Sequence, residues 1–195
     1  MVIISLNLGH NYLKTIDDSW FENSFIEKLS LANNKIIRLQ NYVFANIRRL
    51  DELDLMFNKI HIIEDSIGLS TITKLELAGN ALNNLKFLQN VRPSFLDISF
   101  NTISYLDPDD IVWVDELVMD PNPWHCSCLR TFWKDKHQIV VSSSPIAVDK
   151  WNELFPVCVT SKQDYQCEYK LDGDILEVQD RYFEIVDYIK MQNFV

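Results

Sequence analysis

The chain has 195 residues, a formal net charge of −10 and a sequence pI near 4.8. So acidic a surface repels a phosphate backbone, which excludes nucleic acid as a natural partner. No apolar run reaches the ~18 residues that a membrane-crossing helix needs, and no low-complexity segment interrupts what reads as one continuous core.

The first residues, Met1-Val2-Ile3-Ile4-Ser5-Leu6, lack the basic region and cleavage site of a signal peptide and read instead as a strand. They lead into Leu6-x-Leu8-x-x-Asn11-x-Leu13, and the pattern then returns. Its later copies are centred on Leu29, Leu31 and Asn34; on Leu53, Leu55 and Asn58; on Leu75, Leu77 and Asn80; and on Leu96, Ile98 and Asn101. A degenerate copy follows at Leu117, Met119 and Asn122. The asparagines are 23, 24, 22, 21 and 21 residues apart. Six copies in register are identified as leucine-rich repeats. Alternation puts both leucines of a copy on one strand face, pointing inward, and the residue between them on the other. Where the chain turns inward, a buried Asn side chain can both donate and accept, so stacked asparagines are expected to form a ladder. One repeat cannot bury its own leucines, and the core therefore arises by stacking. Because the chain opens directly on a repeat strand, it is expected to start in mid-solenoid, as part of a longer protein.

On the convex side, Ile36, Leu39, Phe44 and Ile47 are spaced for inward packing, and Leu13, Ile16 and Phe21 match them in the first copy. These two copies resemble the class of about 24 residues found in extracellular leucine-rich-repeat proteins, whose phenylalanines stack along the back. Later copies are shorter and Phe87 is out of register, so loops or short helical turns are expected there. The resulting fold class is an α/β leucine-rich-repeat solenoid. It has a curved parallel β-sheet, a mostly irregular or short-helical convex side, a disulfide-bonded C-terminal cap and a C-terminal helix. The repeats occupy 1–121, the cap 122–170 and the tail 171–195.

Register also assigns the concave face. Outward strand positions are Ser5 and Asn7, Lys28 and Ser30, Glu52 and Asp54, Lys74 and Glu76, Phe95 and Asp97, and Glu116 and Val118. Asp54, Glu76 and Asp97 form a column of acids about 5 Å apart. A solvated acidic face is one reading of it. The other is a protein-binding surface, shared with Lys28, Ser30, Glu52, Lys74, Phe95 and Glu116, whose repulsion a basic partner relieves. Met56, Phe57 and Phe100 follow the strands, and packing between turns is their expected role, with contact at the rim as the alternative.

All four cysteines follow the repeats: Cys126, Cys128, Cys158 and Cys167. The run Asn122-Pro-Trp-His-Cys126-Ser-Cys128, followed by Phe132-Trp133, resembles the C-terminal flanking cap of extracellular leucine-rich-repeat proteins. That resemblance implies the pairs Cys126–Cys158 and Cys128–Cys167. The sequence alone leaves three connectivities, of which Cys126–Cys128 would be strained. Trp124, Leu129, Phe132 and Trp133 are placed to cover the end of the core. A zinc site from His125, Cys126, Cys128 and a later cysteine is disfavoured, because Cys-x-Cys is tighter than structural zinc spacing. Disulfides persist in oxidising compartments, so a secreted or extracellular location is expected.

No catalytic constellation is placed by this register. His10 and His61 fall on turn or convex positions, repeat geometry places no Ser or Cys nucleophile beside a His, the cap accounts for the cysteines, including Cys126 next to His125, and Asp107-Pro-Asp-Asp110 lacks the alternating spacing of a calcium loop. There is no Gly-rich phosphate loop, and neither a metal nor a cofactor is called for. In the tail, Val178, Tyr182, Ile185 and Ile189 are spaced as a heptad seam, with Asp172 and Asp174 as candidate caps. Packing back on the cap, homo- or hetero-association through this helix and an unfolded tail are the three readings. Some secreted insect immune leucine-rich-repeat proteins carry a similar helical region after the cap. The expected function is therefore binding of a protein ligand, in innate-immune or receptor-type recognition. The alternatives are a cell-adhesion or matrix protein and an intracellular scaffold. No Asn-x-Ser/Thr sequon is present, which weighs mildly against a heavily glycosylated receptor ectodomain.

Overall fold

The Leu-x-Leu runs become strands because alternation lets two leucines enter one side while the residue between them stays outside. The computed structural model describes residues 2–69, 72–126, 128–129, 140–142 and 158–159. Its strands are β1 (Val2–Asn7), β2 (Phe25–Ser30), β3 (Arg38–Leu39), β4 (Glu52–Asp54), β5 (Ile62–Ile63), β6 (Lys74–Glu76), β7 (Phe95–Asp97), β8 (Glu116–Val118), β9 (Trp124–His125), β10 (Val140–Ser142) and β11 (Cys158–Val159). The main sheet runs β1-β2-β4-β6-β7-β8-β10 with every neighbouring pair parallel. The repeats thus form the leucine-rich-repeat solenoid that the sequence predicts. Its seventh strand, β10, comes from the cysteine-rich segment and extends the sheet beyond the repeats.

Register is set by the leucines. Leu6, Leu29, Leu53, Leu75, Leu96 and Leu117 pair in one line across the sheet. The second inward line, Leu31, Leu55, Leu77, Ile98 and Met119, is fully buried in every member. Each such side chain contributes roughly 1.5–3 kcal/mol relative to exposure.

The asparagines form the ladder. Asn34 Oδ1 accepts from Leu13 N, Asn58 from Ile36 N, Asn80 from Ile60 N, Asn101 from Leu82 N and Asn122 from Ile103 N, all at 2.9–3.1 Å. Each Nδ2 donates back to carbonyls of its own turn and, across the gap, to the turn before: Asn58 reaches Leu55 O and Leu31 O, both at 3.0 Å. Asn11 has only its own turn to serve, donating to the carbonyls of Leu8 and Gly9, and it is exposed.

On the convex side, Phe21 and Phe44 stack with centroids 6.2 Å apart, as the long copies predict. In the next copy Gly68, at φ +87°, continues this back: a Cβ there would lie 2.5 Å from Ala45 N, so only glycine lets the two turns approach. Short 3-10 turns at Asp18–Phe21, Lys86–Gln89 and Pro108–Ile111, together with the small parallel pair β3–β5, make up the rest of this side. Phe87, out of register in sequence, is nevertheless buried, because the tighter Lys86–Gln89 turn swings it inward.

The end of the core is closed by residues beyond the repeats. Trp124 takes the inward place that Ile36, Ile60, Leu82 and Ile103 hold in their own copies, and is buried, as are Cys128 and Leu129. Phe132, Trp133 and the heptad residues Val178, Tyr182, Ile185 and Ile189 lie outside the described residues. β9 pairs with β11, and Cys126 is disulfide-bonded to Cys158 with the Cα atoms 4.8 Å apart. Cys128 is also disulfide-bonded; its expected partner, Cys167, lies outside the described residues.

The ladder makes a quantitative prediction. Replacing Asn58 by Ala leaves Ile36 N unpaired, at about 1–3 kcal/mol, and takes one of two asparagine donors from Leu31 O and Leu55 O, which keep Asn34 and Asn80. Asn58→Ala should therefore destabilise the fold by about 2–3 kcal/mol. Asn11→Ala, at the exposed end, should cost under about 1 kcal/mol. Parallel thermal or urea melts of the two variants measure the difference.

Candidate functional site

Alternation throws two columns of side chains onto the concave face. The outer column is Ser5, Lys28, Glu52, Lys74, Phe95 and Glu116, and the inner is Asn7, Ser30, Asp54, Glu76, Asp97 and Val118. Every concave residue singled out in the sequence thus occupies one of two continuous lines on one sheet. A third line was not foreseen. The residues two before the first inward leucine, Glu27, Asp51, Thr73, Ser94 and Asp115, follow one another through backbone hydrogen bonds of 2.8–3.0 Å. They add three more carboxylates, Glu27, Asp51 and Asp115, beside the sheet. The offset of two residues from the inward leucine could have found them.

Most of the face's cations are already engaged. Lys28 Nζ meets Glu52 Oε1 at 2.7 Å, and Lys74 Nζ meets Glu76 Oε1 at 2.9 Å. Glu52 raises the pKa of Lys28 by accepting a hydrogen bond from its ammonium and by its negative charge. Arg49 contacts Asp51 at 2.7 Å and Glu27 at 3.9 Å. Lys74 also lies 5.2 Å from the centroid of the Phe95 ring. Asp54 is tied down from two sides: its Oδ2 accepts from Ser30 Oγ at 2.8 Å and its Oδ1 from Met56 N at 3.1 Å.

The inner column changes along its length. Asn7 is exposed, Ser30, Asp54 and Glu76 are half-buried, and Asp97 and Val118 are buried at 1% and 2% exposure. Asp97 therefore does not stand as an open surface acid, as the column in the sequence suggests. Its Oδ1 accepts from Ser99 N at 2.9 Å and Ser99 Oγ at 2.7 Å, and burial raises its pKa against those bonds. A carboxylate buried this far needs fixed donors, and Ser99 supplies two. The open part of the face accordingly runs from β1 to β6.

The rim beside this face has its own rule. In five copies the residue just before the repeat Asn is left-handed: His10 (φ 55°), Asn33 (55°), Phe57 (53°), Gly79 (68°) and Phe100 (54°). Each donates its N–H to the next turn, at 2.7–3.0 Å. Gly takes this conformation freely and Asn and His tolerate it, whereas a bulky side chain costs roughly 1–2 kcal/mol. Phe57 is 42% exposed and Phe100 half-buried, so neither is a core residue, but the Phe57 ring does pack against the next turn. Its ring lies over Gly79, where a Cβ would come within 2.7 Å of Phe57 Cδ1.

Elsewhere, His10 and His61 are exposed on turns and His125 is buried. Among the described residues no group of His, Cys, Asp and Glu could hold a metal ion. Asp107 caps the Pro108–Ile111 turn by accepting from Asp109 N at 3.0 Å. A shallow cavity of about 270 Å³ opens on the convex side between Asn84, Lys86, Tyr105 and Asp110. No described helix is long and apolar enough to cross a membrane.

At the junction with the cap, Asp120 is largely enclosed, and its Oδ1 accepts from Trp124 Nε1 at 2.7 Å. Burial pushes its carboxyl up to about 6, against the lowering effect of that bond. An acid whose pKa is raised by folding stabilises the fold fully below its unfolded value and loses that stabilisation as pH rises through the folded value. The loss therefore falls between about pH 4 and the folded value of about 6. Asp120→Asn keeps the acceptor for Trp124 and carries no charge. It should raise stability at pH 7 by about 2–3 kcal/mol, with the advantage closing below about pH 4, as melts of both proteins across that range will show.

With this geometry in place, the comparisons with known proteins are specific. The family model described as leucine rich repeat matches residues 3–60 and 26–82. The chain is 29% identical to human (Homo sapiens) vasorin over 140 residues, which is 65% of the chain and 20% of vasorin. It is 26% identical to chicken (Gallus gallus) Tsukushi over 119 residues, covering 58% of the chain and 32% of that protein. Vasorin of Mus musculus matches at 26% over 158 residues, or 72% of the chain and 23% of the relative. The repeats of residues 3–82 thus match that family model, and the chain spans between a fifth and a third of the length of these relatives.

Proposed function

We propose that the chain is an extracellular protein-binding module that uses the open, acidic part of its concave face, in recognition of the innate-immune or receptor type. The observation that carries this reading is the placement of Asp54 and Glu76 in register on a preformed parallel sheet, with Glu27, Asp51 and Glu52 beside them. A rigid face loses little freedom on binding, so complementary charge is not offset by ordering. Carboxylates gathered on one surface favour a partner with a basic surface and speed its encounter. The Cys126–Cys158 disulfide and the absence of free cysteines among the described residues support an oxidising compartment. The resemblance to vasorin and Tsukushi supports a protein-interaction role, though neither is matched over its full length.

The face is tested by substitution. Asp54→Asn combined with Glu76→Gln should reduce retention of secreted basic proteins on the immobilised chain at ~0.15 M salt, and should flatten the salt dependence of binding. Asp97→Asn, buried and held by Ser99, should leave retention unchanged. Equal retention by wild type and the double variant would remove the acidic face as the binding surface. The compartment is tested separately, by intact mass after alkylation without reductant. No alkylation is expected, and four alkylated thiols would move the protein to an intracellular scaffold.

A further inference from the structure

Phe57 and Phe100 stand out against the rest of the rim, and of the two only Phe57 is exposed. The positions equivalent to it in three other copies are His10, Asn33 and Gly79, residue types that accept a left-handed backbone. Phe57 accepts it poorly, and since the ring is 42% exposed, burial does not compensate. The ring is nonetheless held in place. It rests on Gly79, the one residue type with no Cβ to displace it. The turn beneath it is fixed by the bond from Met56 N to Asp54 Oδ1 at 3.1 Å and by Phe57 N donating to Ala78 O at 2.9 Å. An aromatic face is thereby presented at the rim, on the same turn as Asp54 and over the turn that follows Glu76.

Three other aromatic rings of this chain already hold a cation. Lys35 lies 4.5 Å from the Tyr12 centroid, Lys74 5.2 Å from Phe95, and Arg92 4.3 Å from Trp113. Among the described residues no cation lies over Phe57. We infer that Phe57, seated on Gly79 beside Asp54 and Glu76, is the anchor of the concave face and receives an arginine or lysine side chain from a basic, extended segment of a protein partner. The inference rests on the reading of the acidic face given above. The chemistry is complementary on both counts: the carboxylates attract the cation from a distance, and the ring face receives it at contact. Asp54 is held by neutral donors alone, so a partner apolar at this point would cover it without supplying a countercharge, which is why a cationic residue is favoured over an aliphatic one.

The experiment uses the full chain, a fluorescent arginine–serine repeat peptide and its glutamate–serine counterpart, read by fluorescence anisotropy. Wild type should bind the basic peptide and not the acidic one, and Asp54→Asn with Glu76→Gln should weaken binding. Phe57→Asn should weaken it about 3- to 10-fold, while its unfolding midpoint rises, because Asn suits the left-handed backbone. Phe57→Leu, apolar but without a ring face, should lose most of the same affinity. If the acidic variants weaken binding and Phe57→Asn does not, the anchor is overturned and the acidic face stands. If Phe57→Asn weakens binding and Phe57→Leu does not, the contact is aliphatic and the cationic occupant is overturned. If wild type does not bind the basic peptide, the acidic-face reading falls and the anchor falls with it.

Discussion

Every turn of this solenoid must bring backbone amides and carbonyls into a leucine core that cannot hydrogen-bond them. The repeat asparagine resolves that constraint. Its amide is large enough to cross from one turn to the next, and it donates and accepts at once. In Asn58 and Asn101 the same side chain closes its own turn and serves the preceding one. The leucines supply the driving force for burial, but the asparagines set the distance and register at which it becomes tolerable. The parallel sheet, the alignment of its side chains and so the binding face all follow from that spacing.

Electrostatics on the face is graded along its length. From β1 to β6 the sheet is open and its carboxylates are partly neutralised by Lys28, Lys74 and Arg49. Towards β7 and β8 the same column sinks into the protein, and the acid it carries there is held by serine donors instead of lysine. Two carboxylates with the same repeat position, Asp54 and Asp97, therefore have different chemistry. The first can meet a partner's charge, whereas the second serves the fold.

The repeat could be read from the sequence almost completely, because a period of two within strands and of twenty-odd residues between them leaves few arrangements. Leu29, Leu53, Leu75, Leu96 and Leu117 could only pair as they do, and the outward columns follow by alternation. The burial of Asp97 and Val118 was not readable, since alternation assigns a residue to a face of the sheet but not to a depth within it. Nor was the left-handed turn at Phe57 and Phe100. Gly or Asn announces such a turn, whereas Phe ordinarily argues against it. Strand β10 was missed because Val140–Ser142 is a three-residue run with no repeat around it. The enclosed Asp120 escaped for a related reason: its surroundings come from Trp124, and pairing between an acid and an indole leaves no spacing signature.

The ladder also has a direction. An amide in one turn is completed by the asparagine of the following turn, never by its own. During synthesis from the N-terminus, then, no turn is finished until its successor has emerged and docked, so growth always trails an unsatisfied edge. The fifth turn depends on Asn122, the first residue of the cysteine-rich segment by sequence motif. A boundary drawn at residue 121 therefore separates two motifs but cuts through one physical unit. The disulfide-bonded end does more than cover the last leucines, since it carries the side chain that completes the fifth repeat.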